Sequence, residues 1–279
     1  MPTKSHPSHH VLRTLLGPIL CLVEARQIVY QLTRKRIVLR YRGSFLGLLW
    51  TFILPGLTLA IYTLVFGVVL RSRWSPDESS TTQYALLLYL GLCVYWFVSD
   101  CLGEAPSLIR NHVNYVKKVV FPLEVLPWIS VLDGLFQSAI RISVFLIAYF
   151  VFYGIPPWTL VLLPLVWLPI CFWTLGISWV LAATGVFVRD LREIVGLILI
   201  GFMFLSPIFY SLDRVPESAR FLLQLNPITL PVLQTRDVLY YGVIPDPALW
   251  SIITFASILF AWAGHALFMK SRGAFADVI

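Results

Sequence analysis

One arginine in this 279-residue chain stands where charge is costly. Arg141 lies near the middle of an apolar run covering about residues 129–153. An ionisable group at bilayer depth costs around 3 kcal/mol on insertion scales, so it needs a partner or an aqueous lining. Asp100 and Glu104 sit four residues apart at the end of the preceding apolar run, and Asp133 opens the run that holds Arg141. Acid–base chemistry by a membrane enzyme needs such groups clustered at one depth. Asp100, Glu104 and Asp133 are the best such cluster in the chain, and they read as structural. By rise per residue, Arg141 lies about 15 Å above the shared end of the two runs and Asp100 about 6 Å. A snorkelling arginine closes most of that gap. The expected contact is therefore an Arg141–Asp100 ion pair between adjacent helices; the competing expectation is that Arg141 faces a hydrated conduit alone.

Other chemistries lack their residues. There is no GxxxxGK[ST] phosphate loop, no HExxH and no GxSxG, so no nucleotide hydrolysis by this chain and no catalytic residue are expected. Cys21, Cys93, Cys101 and Cys171 lie in apolar surroundings without metal spacing and read as small core residues. His6, His9 and His10 fall in a polar terminus, where fraying is the simpler reading than a metal site. No metal and no cofactor of the chain's own is expected.

The elements that position these groups belong to lipid. The chain is 58% hydrophobic and 13% charged, against about 25% charged in a soluble domain. Its long uninterrupted apolar runs are helical rather than barrel-like. The expected fold is all-α with six transmembrane helices, at about 45–70, 84–103, 129–153, 158–187, 194–211 and 249–269. Residues 1–44 form a separate N-terminal unit, and 45–279 the six-helix domain. Within the first unit, residues 17–39 have helical periodicity, with Leu22, Ala25, Ile28, Val29 and Leu32 on one face and Glu24, Gln27, Gln31 and Arg34 on the other. With the basic run Arg34, Lys35, Arg36 behind it, this reads as an amphipathic helix lying on a membrane surface. The net charge of +7 collects at membrane edges, which argues against nucleic acid. Fifteen of the flanking Lys and Arg fall on one side and five on the other, so the positive-inside rule puts both termini in the cytoplasm.

The loops divide by character. The segment 104–128 mixes apolar and basic residues, holds room for a short helix before Pro122, and suits docking into a groove on a cytoplasmic partner. The short loop VRDLREI at 188–194 reads equally as a second docking point or as a turn. The outer loop 211–247 is long enough to be functional. It carries two amphipathic stretches, Glu217–Leu225 and Thr229–Tyr241, broken by Asn226-Pro227. Each is too short to span and is expected to dip in and return as a short re-entrant helix. Trp74, Trp96, Trp158 and Trp250 read as interface anchors. Tyr62, Phe66, Tyr89, Tyr95 and Tyr149 recur at helical spacing; packing bulk is the plainer reading, and a stacking surface for sugar rings the sharper one.

In order, RYRGSFLGLLW, NYVKKVVFPLEVLP, FLSPIFYSLDRVP and LNPITLPVLQTRDVLYYG make the chain resemble the membrane subunit of type-2 ATP-binding-cassette exporters for cell-surface polysaccharides, nearest the O-antigen and teichoic-acid exporters. The resemblance runs from about residue 20 to 270. It implies a permease in a bacterial inner membrane, working as a homodimer with two ATPase subunits that hold the ATP and magnesium. The substrate it implies is a glycan on an undecaprenyl-diphosphate lipid. It matches Asn111, Asn114, Tyr115, Lys117 and Lys118 to a coupling helix, and Arg189 and Asp190 to a second cytoplasmic contact. Arg40 and Arg42 are candidates for the lipid diphosphate, since guanidinium suits phosphate; membrane anchoring is the other reading. The rival expectations are a type-2 exporter of drugs or simple lipids and a membrane-bound acyl- or glycosyltransferase.

Overall fold

The computed structural model describes residues 17–42, 49–69, 74, 81–116 and 121–278, and contains no strand among them. Ten principal helices follow in chain order: α1 (Gly17–Glu24), α2 (Arg26–Tyr41), α3 (Trp50–Tyr62, continued by a π-helical stretch Thr63–Val69), α4 (Thr81–Glu104), α5 (Leu126–Tyr153), α6 (Leu163–Phe187), α7 (Leu191–Phe204), α8 (Glu217–Gln224), α9 (Thr229–Arg236, continued by π-helical Asp237–Tyr241) and α10 (Pro247–Ser271). Among the described residues, four segments are long and apolar enough to cross a membrane: Thr81–Ser107, Leu123–Tyr153, Trp158–Phe187 and Pro247–Ala274. The chain is a multi-pass, all-helical membrane protein.

The expected span 194–211 is shorter than the apolar run that suggested it; of the expected span 45–70, residues 45–48 and 70 lie outside the described residues, and α3 with its π-helical continuation covers Trp50–Val69. α3 carries Pro55 in its interior, which removes one backbone donor. α7 stops at Phe204, seven residues before the expected end of its run. Pro207 cannot extend the helix, and Ser206 Oγ turns back onto the carbonyls of Phe202 (2.7 Å) and Met203 (3.3 Å). Apolar length overran the element because the residues after the break are still apolar.

α4 is the hub. It is buried on nearly every side, with Leu87, Leu88, Tyr89, Leu90, Cys93 and Phe97 fully enclosed, and it packs on α3, α5, α6, α7 and α9. α6 and α10 form the closest helix pair. Gly176 and Gly264 face each other there, and a Cβ at Gly176 would lie 2.9 Å from Ala261 Cα. Small residues at such a crossing let backbones approach where lipid supplies no hydrophobic drive. α5 ends at Gly154, whose φ of +86° suits glycine, and Pro156 and Pro157 follow. α10 starts at Asp246, which accepts from the Ala248 N–H at 2.9 Å.

The loop 211–247 is packed rather than loose. Asn226 bridges the break between α8 and α9, donating to the Phe202 carbonyl (2.9 Å) and accepting from the Ile228 N–H (3.0 Å). Thr159 donates to the Val238 carbonyl (2.6 Å), and Trp167 to Thr235 (3.0 Å).

Candidate functional site

Polar groups concentrate on one face of α5. Ser130, Asp133, Gln137 and Arg141 recur at helical spacing, which aligns them along a single stripe. Asp133 is 2% exposed, and a buried carboxylate needs partners. They come from α2. Arg36 Nε donates to Asp133 Oδ2 at 2.9 Å, and Arg40 Nη2 reaches the same oxygen at 2.6 Å. The other arms of the Arg36 fork engage Glu104: Nη1 lies 3.0 Å from Oε1, and Nη2 contacts Oε2. Nη1 also reaches Ser130 Oγ at 3.3 Å. Burial alone would lower the Arg36 pKa; Glu104, then Asp133, outweigh it and hold the guanidinium above its ordinary value.

Arg36 was not among the sequence candidates, having read as part of a basic run. The signal was there: Ala25 and Val29 are buried, Leu32 is half-buried, and Arg36 continues that stripe. Ile28, expected on the apolar face, is exposed, although the Ala25 and Val29 N–H groups bond the Cys21 and Ala25 carbonyls and carry the helical stripe on through the turn at Ala25.

Higher along α5, Arg141 Nη2 lies 2.7 Å from Asp100 Oδ2. Its guanidinium sits 5.3 Å from the Trp96 ring centroid, a cation–π distance. Arg141 Nη1 is buried and has no partner among the described residues. Arg42 is exposed just past the end of α2.

α4 runs into the segment 105–116. Its first turn, Ala105–Ser107, is buried against the end of α6, so closely that a Cβ at Gly185 would overlap the Pro106 backbone. Leu108 and Ile109 are buried, whereas Asn111 and Asn114 are exposed. Tyr115 is half-buried and stacks in parallel on Phe121 (4.3 Å) and His112 (5.6 Å). Lys117 and Lys118 lie outside the described residues. Arg189 and Asp190 are exposed in the α6–α7 turn.

Burial favours the packing reading for two of the aromatics. Tyr89 is fully enclosed, with its hydroxyl donating to the Arg141 carbonyl at 3.1 Å, and Tyr95 is 8% exposed. Both serve the hub helix and present no ring on the protomer surface. Tyr62, Phe66 and Tyr149 are half-buried; Tyr149 joins a cluster with Tyr153 and Tyr240. Trp74 is no interface anchor either, being 9% exposed beneath the Arg236 guanidinium at 4.3 Å.

Taken together these features define a multi-pass helical membrane protein with an ion-paired stripe and an exposed interhelical segment at one end. The sequence matches the ABC-2 type transporter family over residues 27–240, and the chain belongs to that family. It is 32% identical over 260 residues to the O-antigen export system permease protein RfbA of Myxococcus xanthus, covering 92% of this chain and 97% of that protein. Two proteins of the same description from Klebsiella pneumoniae are 29% and 30% identical over 254 and 256 residues, each match covering 89% of this chain and 93% of the relative.

Proposed function

We propose that the chain is the membrane permease of an exporter that moves a lipid-linked polysaccharide outward through a bacterial inner membrane, driven by separate ATPase subunits. The observation that carries this is the end-to-end similarity to three O-antigen export permeases. The exposed Asn111 and Asn114, on a segment braced by buried Leu108 and Ile109, supply the matching docking surface.

In this reading the docking segment and both termini are cytoplasmic, as the distribution of Lys and Arg indicates. α3 and α7 complete six spans, and α8 and α9 act as short re-entrant helices near the outer end. The working unit is a homodimer with two ATPases, which carry the ATP and magnesium. Broad apolar faces on α3 (Leu57, Ile61, Leu64) and α7 (Leu197, Ile198, Ile200) are exposed in the single chain and suit lipid and a second copy. Nucleotide-driven closure of the ATPases moves the docking segment and, through α4 and α6, opens a path between protomers. A long polymer fits a continuous conduit worked by repeated strokes better than one enclosed pocket.

Deletion of the gene in its own host tests the proposal. The expected result is loss of surface polysaccharide with lipid-linked glycan accumulating on the cytoplasmic side, restored by the intact gene. Unchanged surface polysaccharide in the deletion strain would overturn it.

A further inference from the structure

Between α2, α3 and α5 lies a cavity of about 380 Å³ that the ion pairs border but do not fill. Its wall includes Arg40 from α2, Thr51, Leu54 and Pro55 from α3, and Gln137 and Arg141 from α5. The two cations stand at different depths. Arg40 is held level with Asp133, and Arg141 lies two helical turns further along the same stripe, about 12 Å by helical rise. Thr51 and Gln137 line the wall beside the apolar Leu54 and Pro55.

Neither guanidinium is used up by its carboxylate. An arginine has five N–H donors in a planar fork. Arg40 contacts Asp133 through Nη2 and its side chain is 40% exposed. Arg141 contacts Asp100 through Nη2, while its buried Nη1 has no partner among the described residues. Donors at two depths, beside an apolar wall that continues onto the exposed face of α3, fit an anionic head carrying an apolar tail. Guanidinium favours phosphate, which it grips through parallel N–H bonds.

We infer that this crevice within each protomer binds the phosphate head of a membrane lipid, engaged by Arg40 at its more exposed end and by Arg141 at its deeper end. The inference rests on the reading above, that the exported glycan is attached to a lipid. It assigns the head to a cleft inside one chain while the polymer takes the path between chains. A head moving inward meets Arg40 first and Arg141 second, so the stripe on α5 guides it into the bilayer without leaving its charge unpaired.

The test uses the purified complex of permease and ATPase in nanodiscs. The probes are a long-chain polyprenyl diphosphate, the same polyprenol without phosphate, and inorganic pyrophosphate. The expected result is saturable binding of the polyprenyl diphosphate alone, weakened at least fivefold in Arg141→Lys and in Arg40→Lys, each of which keeps a cation but loses the fork. Arg40, the more exposed of the two, decides the matter if Arg141→Lys fails to assemble. Equal binding of the polyprenol, equal binding of free pyrophosphate, or wild-type affinity in the assembled variants would each overturn the inference. Cell-surface polysaccharide, followed in parallel, separates the two readings: normal export with unaltered lipid binding in the variants removes the crevice alone, whereas normal surface polysaccharide in cells lacking the permease removes the export reading.

Discussion

Arg36 and Glu104 meet through both outer arms of the arginine fork, and the inner arm of the same fork holds Asp133. One side chain on the N-terminal amphipathic helix thus ties together α4, which runs into the exposed 105–116 segment, and α5, which follows it. α2 is thereby joined to the 105–116 segment as well as to α5. A displacement of that segment must either carry α2 with it or break a bidentate, half-buried contact.

Replacing Arg36 measures that tie. Arg36→Ala leaves Asp133, 3% exposed at its side chain, with Arg40 alone. Removing one partner of a buried pair is costlier than never having the pair. We expect a loss of about 2–3 kcal/mol, read as a lower unfolding temperature of the purified complex. Arg36→Lys should recover less than half, because a single ammonium cannot hold two carboxylates at fork geometry.

Arg141 and Asp100 can be separated from each other by charge reversal. Arg141→Asp and Asp100→Arg should each lower the amount of folded permease in the membrane. The double variant restores an opposite pair across α4 and α5 and should recover abundance by a coupling of about 1 kcal/mol. Abundance no higher in the double variant than in the singles would show that the 2.7 Å contact does not support the fold.

The proposed docking of the 105–116 segment predicts an uncoupled phenotype. Asn114 is exposed and Tyr115 is stacked on Phe121. Asn114→Trp should leave folding untouched while cutting transport at least fivefold. Tyr115→Ala should do the same by removing the ring that braces the segment. ATP hydrolysis and glycan export measured on the same reconstituted complex check both; undiminished export with either variant would remove docking at this segment.

Much of this was legible in the residues, for reasons that differ by element. Four long apolar runs became long helices, since lipid requires every backbone group to be paired within the segment. The Asn226-Pro227 break was legible because proline cannot continue a helix and asparagine can staple the turn. The Arg141–Asp100 contact followed from depth arithmetic. Arg36 stayed hidden because a basic run looks alike whether its middle faces water or carboxylates, and only its place on the Ala25, Val29 and Leu32 stripe separates the cases. Tyr89 and Tyr95 fit the packing reading, which spacing alone left open because it places aromatics on a common face without saying which face meets the core.

Arg236 is a second buried cation that the sequence did not single out, and it supports the strongest stability prediction. It is 2% exposed and has no carboxylate contact among the described ion pairs. Its fork donates instead to three backbone carbonyls: Leu87 on α4 (2.8 Å), Pro207 (2.6 Å) and Ile208 (3.1 Å) in the turn that ends α7. The Trp74 ring covers it. The carbonyls of Pro207 and Ile208, in the turn that follows α7, thereby gain buried donors. Gly91 makes the room: a Cβ there would lie 2.9 Å from Arg236 Nη2 and 3.3 Å from Ile208 Cα. Arg236→Met keeps the packing volume but orphans these acceptors, and a loss of about 3 kcal/mol or more is expected. Gly91→Ala should cost about 1–3 kcal/mol by overpacking the same cradle. Because both changes act on one contact, their effects should fall short of additive. A double variant whose unfolding temperature drops by the full sum of the singles would mean that Gly91 and Arg236 support the outer loop independently.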